Sequence, residues 1–272
     1  MDDYELLDAG SGGRLERFGS QLTDRPAVGA LADRRDPGRW SSADLRFDRE
    51  RGWSGPGLAA ARSGWAVRLH DLVLQLRPTD AGQVGCFPEH AAHLSWLEEQ
   101  VAARPSPSVL HLFAYTGLAT LALARAGAAV AHVDAAKPAV AWARRNAAAN
   151  DLQDHPIRWL VDDARAFVAR ELRRSRSYAG IVLDPPTYGH GAGPNRPWRL
   201  EQDLPDLIDA VARLLTPGGF VLLTAHTPSI DPDDLRRALA PFGGRVEAGD
   251  LHIQAVSGVD LALGSFARTS GA

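Results

Sequence analysis

The chain has 272 residues, 30 basic and 33 acidic side chains, a formal charge of −3 and 45% hydrophobic residues. That suits one large α/β domain with a small appendage, and no global basic field announces a nucleic-acid partner, although local patches can still carry one. A single cysteine, Cys86, excludes an intrachain disulfide framework and fits a reducing compartment.

The amino-terminal MDDYELLDAG is acidic and lacks an apolar signal core, and no apolar run is long enough to span a bilayer, so a soluble cytoplasmic protein is predicted. Up to about Arg77, YELLDAG, RLERFG, WAVRLH and LVLQLRP read as short strands. Between them, RRDPGRWSSADLRFDRERGWSGPG is polar and punctuated by Gly and Pro, and reads mostly as loop. A small β-rich unit is predicted over 1–78, with the main domain over 79–272. From Phe87 a helical pattern places Ala91, Leu94, Leu97 and Val101 on one face, and RPSPS ends it.

Regular alternation follows. VLHLF, AVAHVD, IRWLVDD, YAGIVLD and GFVLLTAH are strands, each followed by a helical segment. Five such units predict a doubly wound, Rossmann-like parallel sheet. The closing runs RVEAGDLHI and VDLALGSFA have no room for a helix between them, which predicts an antiparallel hairpin at one edge and a seven-stranded sheet in all.

Ligands of such sheets bind at the carboxyl ends of the strands. The first of these loops is FAYTG, with Gly117 as its only glycine, so a dinucleotide fingerprint is absent. S-adenosylmethionine carries no phosphate and needs less close backbone approach. The backbone from Ala114 through Thr116 to Gly117 suits its methionine end, while Phe113 and Tyr115 suit walls for the sulfonium and adenosine; Phe113 is equally read as strand core. Asp134 ends the second strand, followed by Ala135, where an acid accepts from ribose hydroxyls; helix capping is the competing role. Of Asp162 and Asp163, which precede Ala164, one suits an acceptor for the adenine amine, with Asp163 favoured, and the other reads equally as a helix cap. The fourth strand ends in Asp184-Pro185-Pro186-Thr187-Tyr188. Its prolines stiffen the loop and leave neighbouring carbonyls to accept from a substrate amine, in a reaction where positioning is the main demand. The glycines between Gly189 and Trp198 suit a loop that closes over substrate, with His190 or Trp198 as base contacts.

These segments carry a resemblance. LFAYTG, HVDAAKPAVAWARRNAAAN, VDDARAFV and DPPTYG resemble the class I S-adenosylmethionine-dependent methyltransferases, and most of all the bacterial large-subunit ribosomal RNA group, over about Cys86 to His226. The resemblance implies a seven-stranded sheet with one reversed edge strand and S-adenosylmethionine as cofactor. It implies cofactor contacts by Phe113, Tyr115, Gly117, Asp134 and Asp163, with Asp184 and Pro185 beside the methyl donor. Glu89 and His90 depart from the family's usual segment at that place, and Ala136 replaces its usual serine.

Methylation at cytosine carbon 5 requires a cysteine nucleophile. The loops DPPTY and TAHTP hold none, and Cys86 lies upstream and reads as structural, so nitrogen or oxygen acceptors remain. Guanine nitrogen 7 needs no general base and suits a site whose sequence displays none, while Thr187 ahead of Tyr188 weakens an exocyclic-amine reading. An RNA substrate is expected from the motif set and from Arg14, Arg17, Arg34, Arg35, Arg173, Arg174 and Arg176, most of which read equally as solvated surface. The alternatives are a small-molecule methyltransferase with a pocket of Trp53, Trp65 and the Gly189 loop, and a cofactor-binding scaffold without activity. The nine histidines show no zinc spacing, even with His90 and His93 on one helix face, so no metal is expected.

Overall fold

The computed structural model describes residues 2–189 and 196–271. The chain divides into two compact units, Met1–Ala92 with Leu251–Leu263, and His93–Asp250 with Gly264–Ala272.

In the first unit, β1 (Tyr4–Gly10), β2 (Gly13–Phe18), β3 (Gln21–Pro26), β4 (Leu45–Asp48) and β5 (Gly52–Ser54) form one sheet in sequence order. Two short helices, α1 (Pro37–Trp40) and α2 (Leu58–Ala61), and a hairpin of β6 (Trp65–Leu69) and β7 (Leu72–Leu76) complete it. The hairpin turn is His70-Asp71, both with positive φ (51° and 57°), the backbone that matches the twist of paired strands. The stretch read as loop thus contains α1, β4 and β5, and β3 was also missed. β4 and β5 are too short for alternation to stand out, and they form because partners lie beside them. Arg14, expected to be solvated or to face RNA, is 6% exposed and paired with Glu16 at 3.4 Å. Glu16 also takes Arg25 at 2.6 Å inside the unit. A buried carboxylate needs such partners, since isolated burial of a charge is very costly.

In the second unit, α3 (Ala91–Ala102) buries His93, Leu94, Leu97 and Val101; His93, against the Phe266 ring at 4.5 Å, takes the interior position expected for Ala91. The sheet strands are β8 (Ser108–Leu112), β9 (Ala129–Asp134), β10 (Ile157–Val161), β11 (Tyr178–Leu183) and β14 (Leu215–Ala225), with β15 (Arg245–Gln254) and β16 (Asp260–Ser270) closing the chain, the end of β15 and the start of β16 being counted with the first unit. The intervening helices are α4 (Leu118–Arg125), α5 (Lys137–Ala148), α6 (Ala164–Arg173), α7 (Leu200–Ala212) and α8 (Pro232–Ala238), and a two-residue ribbon joins β12 (Tyr188–Gly189) to β13 (Trp198–Arg199). The order is β10-β9-β8-β11-β14-β16-β15. β8 to β11 and β14 are parallel, whereas β16 runs antiparallel to β14. The seven-stranded mixed sheet is as expected, with the reversed strand lying one position in from the margin. Winding proceeds from β8 to β9 and β10 on one side, and to β11 and β14 on the other. The crevice between β8 and β11 is the place where such folds hold ligands.

Val109, Leu110 and Leu112 of β8 and Ile181 and Leu183 of β11 are fully buried, which is why these strands read as continuous apolar runs. Each such side chain contributes about 1.5–3 kcal/mol of burial free energy. Among the described residues, no helix is long and apolar enough to cross a membrane.

Candidate functional site

The loop leaving β8 is strained and held from several sides. Phe113 (φ 56°), Tyr115 (47°) and Gly117 (93°) are all left-handed. For the two aromatic residues this costs about 1 kcal/mol or more each. Gly117 begins α4, and a Cβ there would stand 3.1 Å from that of Ala143, so glycine is required by both conformation and space. The Tyr115 N–H donates to Asp134 Oδ2 at 2.8 Å, and the Ala114 N–H donates to the Val133 carbonyl at 3.1 Å. The buried Asn146 of α5 donates through Nδ2 to the Thr116 carbonyl at 3.0 Å. Beneath the loop, Thr120 Oγ1 bridges His111 Nδ1 (2.8 Å) and His132 Nδ1 (2.9 Å). Burial first, then the neighbouring His111, pushes His132 well below its usual range, so that ring is neutral.

Asp134 also accepts the Ala136 N–H through Oδ1 at 2.8 Å, so each carboxylate oxygen is anchored by one backbone amide. Burial raises its carboxyl above the ordinary range and the charge of Asp184 adds to this, against the two amide hydrogens. Each oxygen keeps a lone pair beyond the one the amide uses, which is the capacity that a vicinal diol requires. Ala135 is exposed beside it.

At the end of β10, Asp163 caps α6 by accepting from the Arg165 and Ala166 amides, and it pairs with the Arg165 guanidinium at 2.9 Å. Asp162 is half-buried and pairs with Arg170. The capping role therefore falls to the acid favoured for adenine. Ala164 is buried in the first turn of α6.

At the end of β11, Asp184 is half-buried, Pro185 is buried, and Pro186, Thr187 and Tyr188 are exposed. Thr224 Oγ1, on β14, lies 2.6 Å from Asp184 Oδ1, and His226 Nε2 lies 3.1 Å from the same oxygen. The Pro186 carbonyl, expected to be open to a substrate amine, accepts from Trp198 Nε1 at 2.7 Å. Trp198 is 4% exposed and packs on Phe113 at 4.9 Å, so it is a wall rather than a stacking platform. Phe113, half-buried against that indole, is both core and wall. Arg165 ties this side together: it reaches Asp203 at 3.3 Å and the Arg196 carbonyl at 2.7 Å, and its guanidinium lies 5.9 Å from the Trp198 ring. Of the predicted closing loop from Gly189 to Trp198, residues 190–195, including His190, lie outside the described residues.

The sheet order therefore brings the Phe113–Gly117 loop, Asp134 and Asp184 side by side, with Asp162 and Asp163 one strand further out. Sequence reading passed over His226, Thr224, Asn146 and Arg165. For His226 the sequence does carry a signal, a histidine in TAHTP directly after the fifth strand. Cys86 is buried in the first unit, where burial pushes its thiol far above the usual range, as suits a structural residue. Trp53 and Trp65 are also tied within that unit, Trp53 Nε1 to the Thr79 carbonyl (2.7 Å) and Trp65 Nε1 to the Phe18 carbonyl (3.1 Å).

Comparison with known proteins bears on the family and the fold. The family model described as S-adenosylmethionine-dependent methyltransferase matches residues 15–254. The crystal structure of a SAM-dependent methyltransferase from Agrobacterium tumefaciens is similar at a TM-score of 0.92 and 34% identity, covering 99% of this chain and 91% of that one. Ribosomal RNA large subunit methyltransferase K/L of Syntrophotalea carbinolica is 32% identical over 166 residues, 60% of this chain and 22% of that protein. Its counterpart in Magnetococcus marinus is 30% identical over 162 residues, 59% of this chain and 22% of that protein. The chain thus matches only about a fifth of the length of these curated relatives.

Proposed function

The chain belongs to the S-adenosylmethionine-dependent methyltransferases, and from that premise we propose that it methylates a nitrogen of a ribosomal RNA base in the cytoplasm. The observation that carries the acceptor chemistry is the fourth-strand loop. Asp184 stands beside Pro185 at the crevice with no thiol in either neighbouring loop, so a covalent cysteine route to cytosine carbon 5 has no nucleophile. The RNA substrate is supported by the similarity to the ribosomal RNA enzymes. Of the arginines considered for RNA, Arg17, Arg35, Arg173, Arg174 and Arg176 are exposed and suit phosphate contact, Arg34 is half-buried, and Arg14 is withdrawn by burial. The domain assignment is kept with this reading: an amino-terminal β-rich unit that docks RNA and a methyltransferase domain after it.

Bound S-adenosylmethionine supplies an electrophilic methyl carbon on a sulfonium. Asp134 accepts the ribose hydroxyls. The backbone of Ala114 to Gly117 holds the methionine end, Tyr115 flanks the adenosine, and Asp162 or Asp163 with Ala164 meets adenine. Asp184, Pro185, Pro186 and Tyr188 orient the acceptor, with the exposed Tyr188 offered to the base.

Ribosomal RNA from a deletion strain, digested to nucleosides and compared with the parent by mass spectrometry, is expected to lack one methylated nucleoside. An unchanged profile would remove the RNA assignment. Asp184→Ala is expected to lower kcat by roughly 100-fold or more, with cofactor affinity within a few-fold of the parent. Titration calorimetry beside single-turnover rates tests this, and equal loss of both would make the loop purely structural.

A further inference from the structure

We propose that Asp203 is a positioning residue for the methyl transfer: through the Arg199 backbone and the side chains of Arg165 and Arg196, its carboxylate holds Pro186, Thr187 and Tyr188 in place at the acceptor side. This rests on the reading above and deepens it by naming what sets the acceptor loop. Asp203 lies in the first turn of α7 and is 2% exposed. Its Oδ2 accepts the Arg199 N–H at 2.7 Å and Arg196 Nη1 at 3.1 Å. Its Oδ1 accepts Arg165 Nη1 at 3.3 Å and pairs with Arg196 Nη2. The first turn of a helix also favours a negative charge. Burial acts to raise this carboxyl, but the Arg199 amide and the two guanidinium groups outweigh it and hold it below its ordinary range.

The segment held in this way is the one that grips the acceptor loop. Trp198 Nε1 donates to the Pro186 carbonyl at 2.7 Å, and the Leu200 N–H donates to the Thr187 carbonyl at 3.1 Å. Arg199 pairs with Tyr188 in the β12–β13 ribbon. Residues 198–200 thus fix residues 186–188, and Asp203 anchors the middle one of the three. Arg165 extends the grip to the end of β10: its Nη2 donates to the Arg196 carbonyl at 2.7 Å and to Asp163 Oδ2 at 2.9 Å. The acceptor loop and the Asp163 strand end are therefore set against one guanidinium. Transfer to a methyl carbon demands alignment above all, and a displacement of about 1 Å can cost roughly 10²-fold in rate. Neutralising Asp203 loosens the acceptor side alone, because Asp163 keeps the two α6 amides and Arg165.

Two measurements decide it. Hydrogen exchange of the Trp198 indole proton, followed by NMR and identified among the seven tryptophans by its loss in Trp198→Phe, reports the grip itself. Asp203→Asn keeps the side chain's shape and removes its charge. It is expected to speed that exchange about tenfold or more while the amides of β8 and β11 keep their protection. An unchanged indole, or equal acceleration throughout the sheet, overturns the proposal. If the variant does not fold, Arg165→Gln takes its place in this measurement with the same expected direction. Single-turnover transfer to ribosomal RNA from the deletion strain, counted per cofactor-binding site by titration calorimetry, reports the consequence. The rate per site in Asp203→Asn is expected to fall roughly 10²-fold with cofactor affinity within about two-fold of the parent. A merely structural Asp203 would lower the number of sites and leave the rate per site unchanged; that result, or equal loss of rate and affinity, overturns the proposal. If the parent methylates no ribosomal RNA, the RNA assignment falls and the indole exchange still decides the role of Asp203.

Discussion

Asp134→Ala is expected to bind S-adenosylmethionine at least about 100-fold more weakly than the parent, with the fold retained. A hydrogen bond to a charged group is worth about 1.5–3 kcal/mol. Two ribose hydroxyls on one carboxylate give about 3 kcal/mol at the low end, or about two decades of affinity. The change acts a second time through the loop, because Asp134 Oδ2 holds the Tyr115 amide and Oδ1 the Ala136 amide. Without it, Tyr115 at φ 47° loses the bond that offsets its strain. Asp134→Asn separates the two effects: its single amide oxygen can take only one of the two N–H groups, so part of the anchoring survives while the charge does not. Titration calorimetry and thermal melts of both variants test this, and undiminished affinity in Asp134→Ala would refute the ribose assignment. The pH dependence has a fixed sign. Burial raises this carboxyl in the folded chain, so its contribution to folding is fullest below the unfolded value and is lost as pH rises through the folded one. Cofactor binding runs the other way. Ribose hydroxyls donate to the ionised form, so affinity falls as pH drops through the raised folded value, beginning above the usual aspartate range. That onset is expected to vanish in Asp134→Ala.

The sheet was legible in the sequence because its signal is local. Strands buried on both faces read as apolar runs, and each run leads to a helix with its own period, so β8 to β11 and β14 are legible from residue order alone, whereas the two-residue β12 and β13, inside a stretch that reads as loop, are not. The loop chemistry was legible for a similar reason, since the strand-end acids Asp134 and Asp184 fall where a parallel sheet collects its ligands. What escaped depends on distant partners. Arg14 looks like any surface arginine until β3 brings Arg25 to the same Glu16. Trp198 looks exposed until the Pro186 carbonyl and Phe113 close around it. His226 gains meaning only when β14 is laid beside β11, which sets its ring against Asp184. In each case the side chain's role follows from a pairing between segments well apart in the chain, which periodicity does not encode.

The same dependence on a distant partner governs Gly180→Ala, which is expected to destabilise the second unit by about 3 kcal/mol, near the upper end for overpacking. Gly180 on β11 stands opposite Phe220 on β14, and a Cβ would fall 2.2 Å from Phe220 Cζ and 2.4 Å and 2.6 Å from the two Cε atoms. The ring has little room to retreat. It is fully buried, meets Trp96 edge-on at 5.8 Å, and lies 5.1 Å from the Arg104 guanidinium. Relief must therefore come from the strand, and at this size about 3 kcal/mol lowers the melting midpoint by roughly 6–12 °C. The displaced strand is the one that delivers Asp184, so kcat is expected to fall in the fraction that stays folded, even though Gly180 lies well below the crevice. Phe220→Leu supplies the control. It lowers stability by itself, but in the Gly180→Ala background it removes the obstacle, so the pair should be less damaging than the sum by about 0.5–3 kcal/mol. Denaturant unfolding of the four proteins in this cycle gives the coupling directly. Strict additivity would mean that the ring is not what reserves this position for glycine.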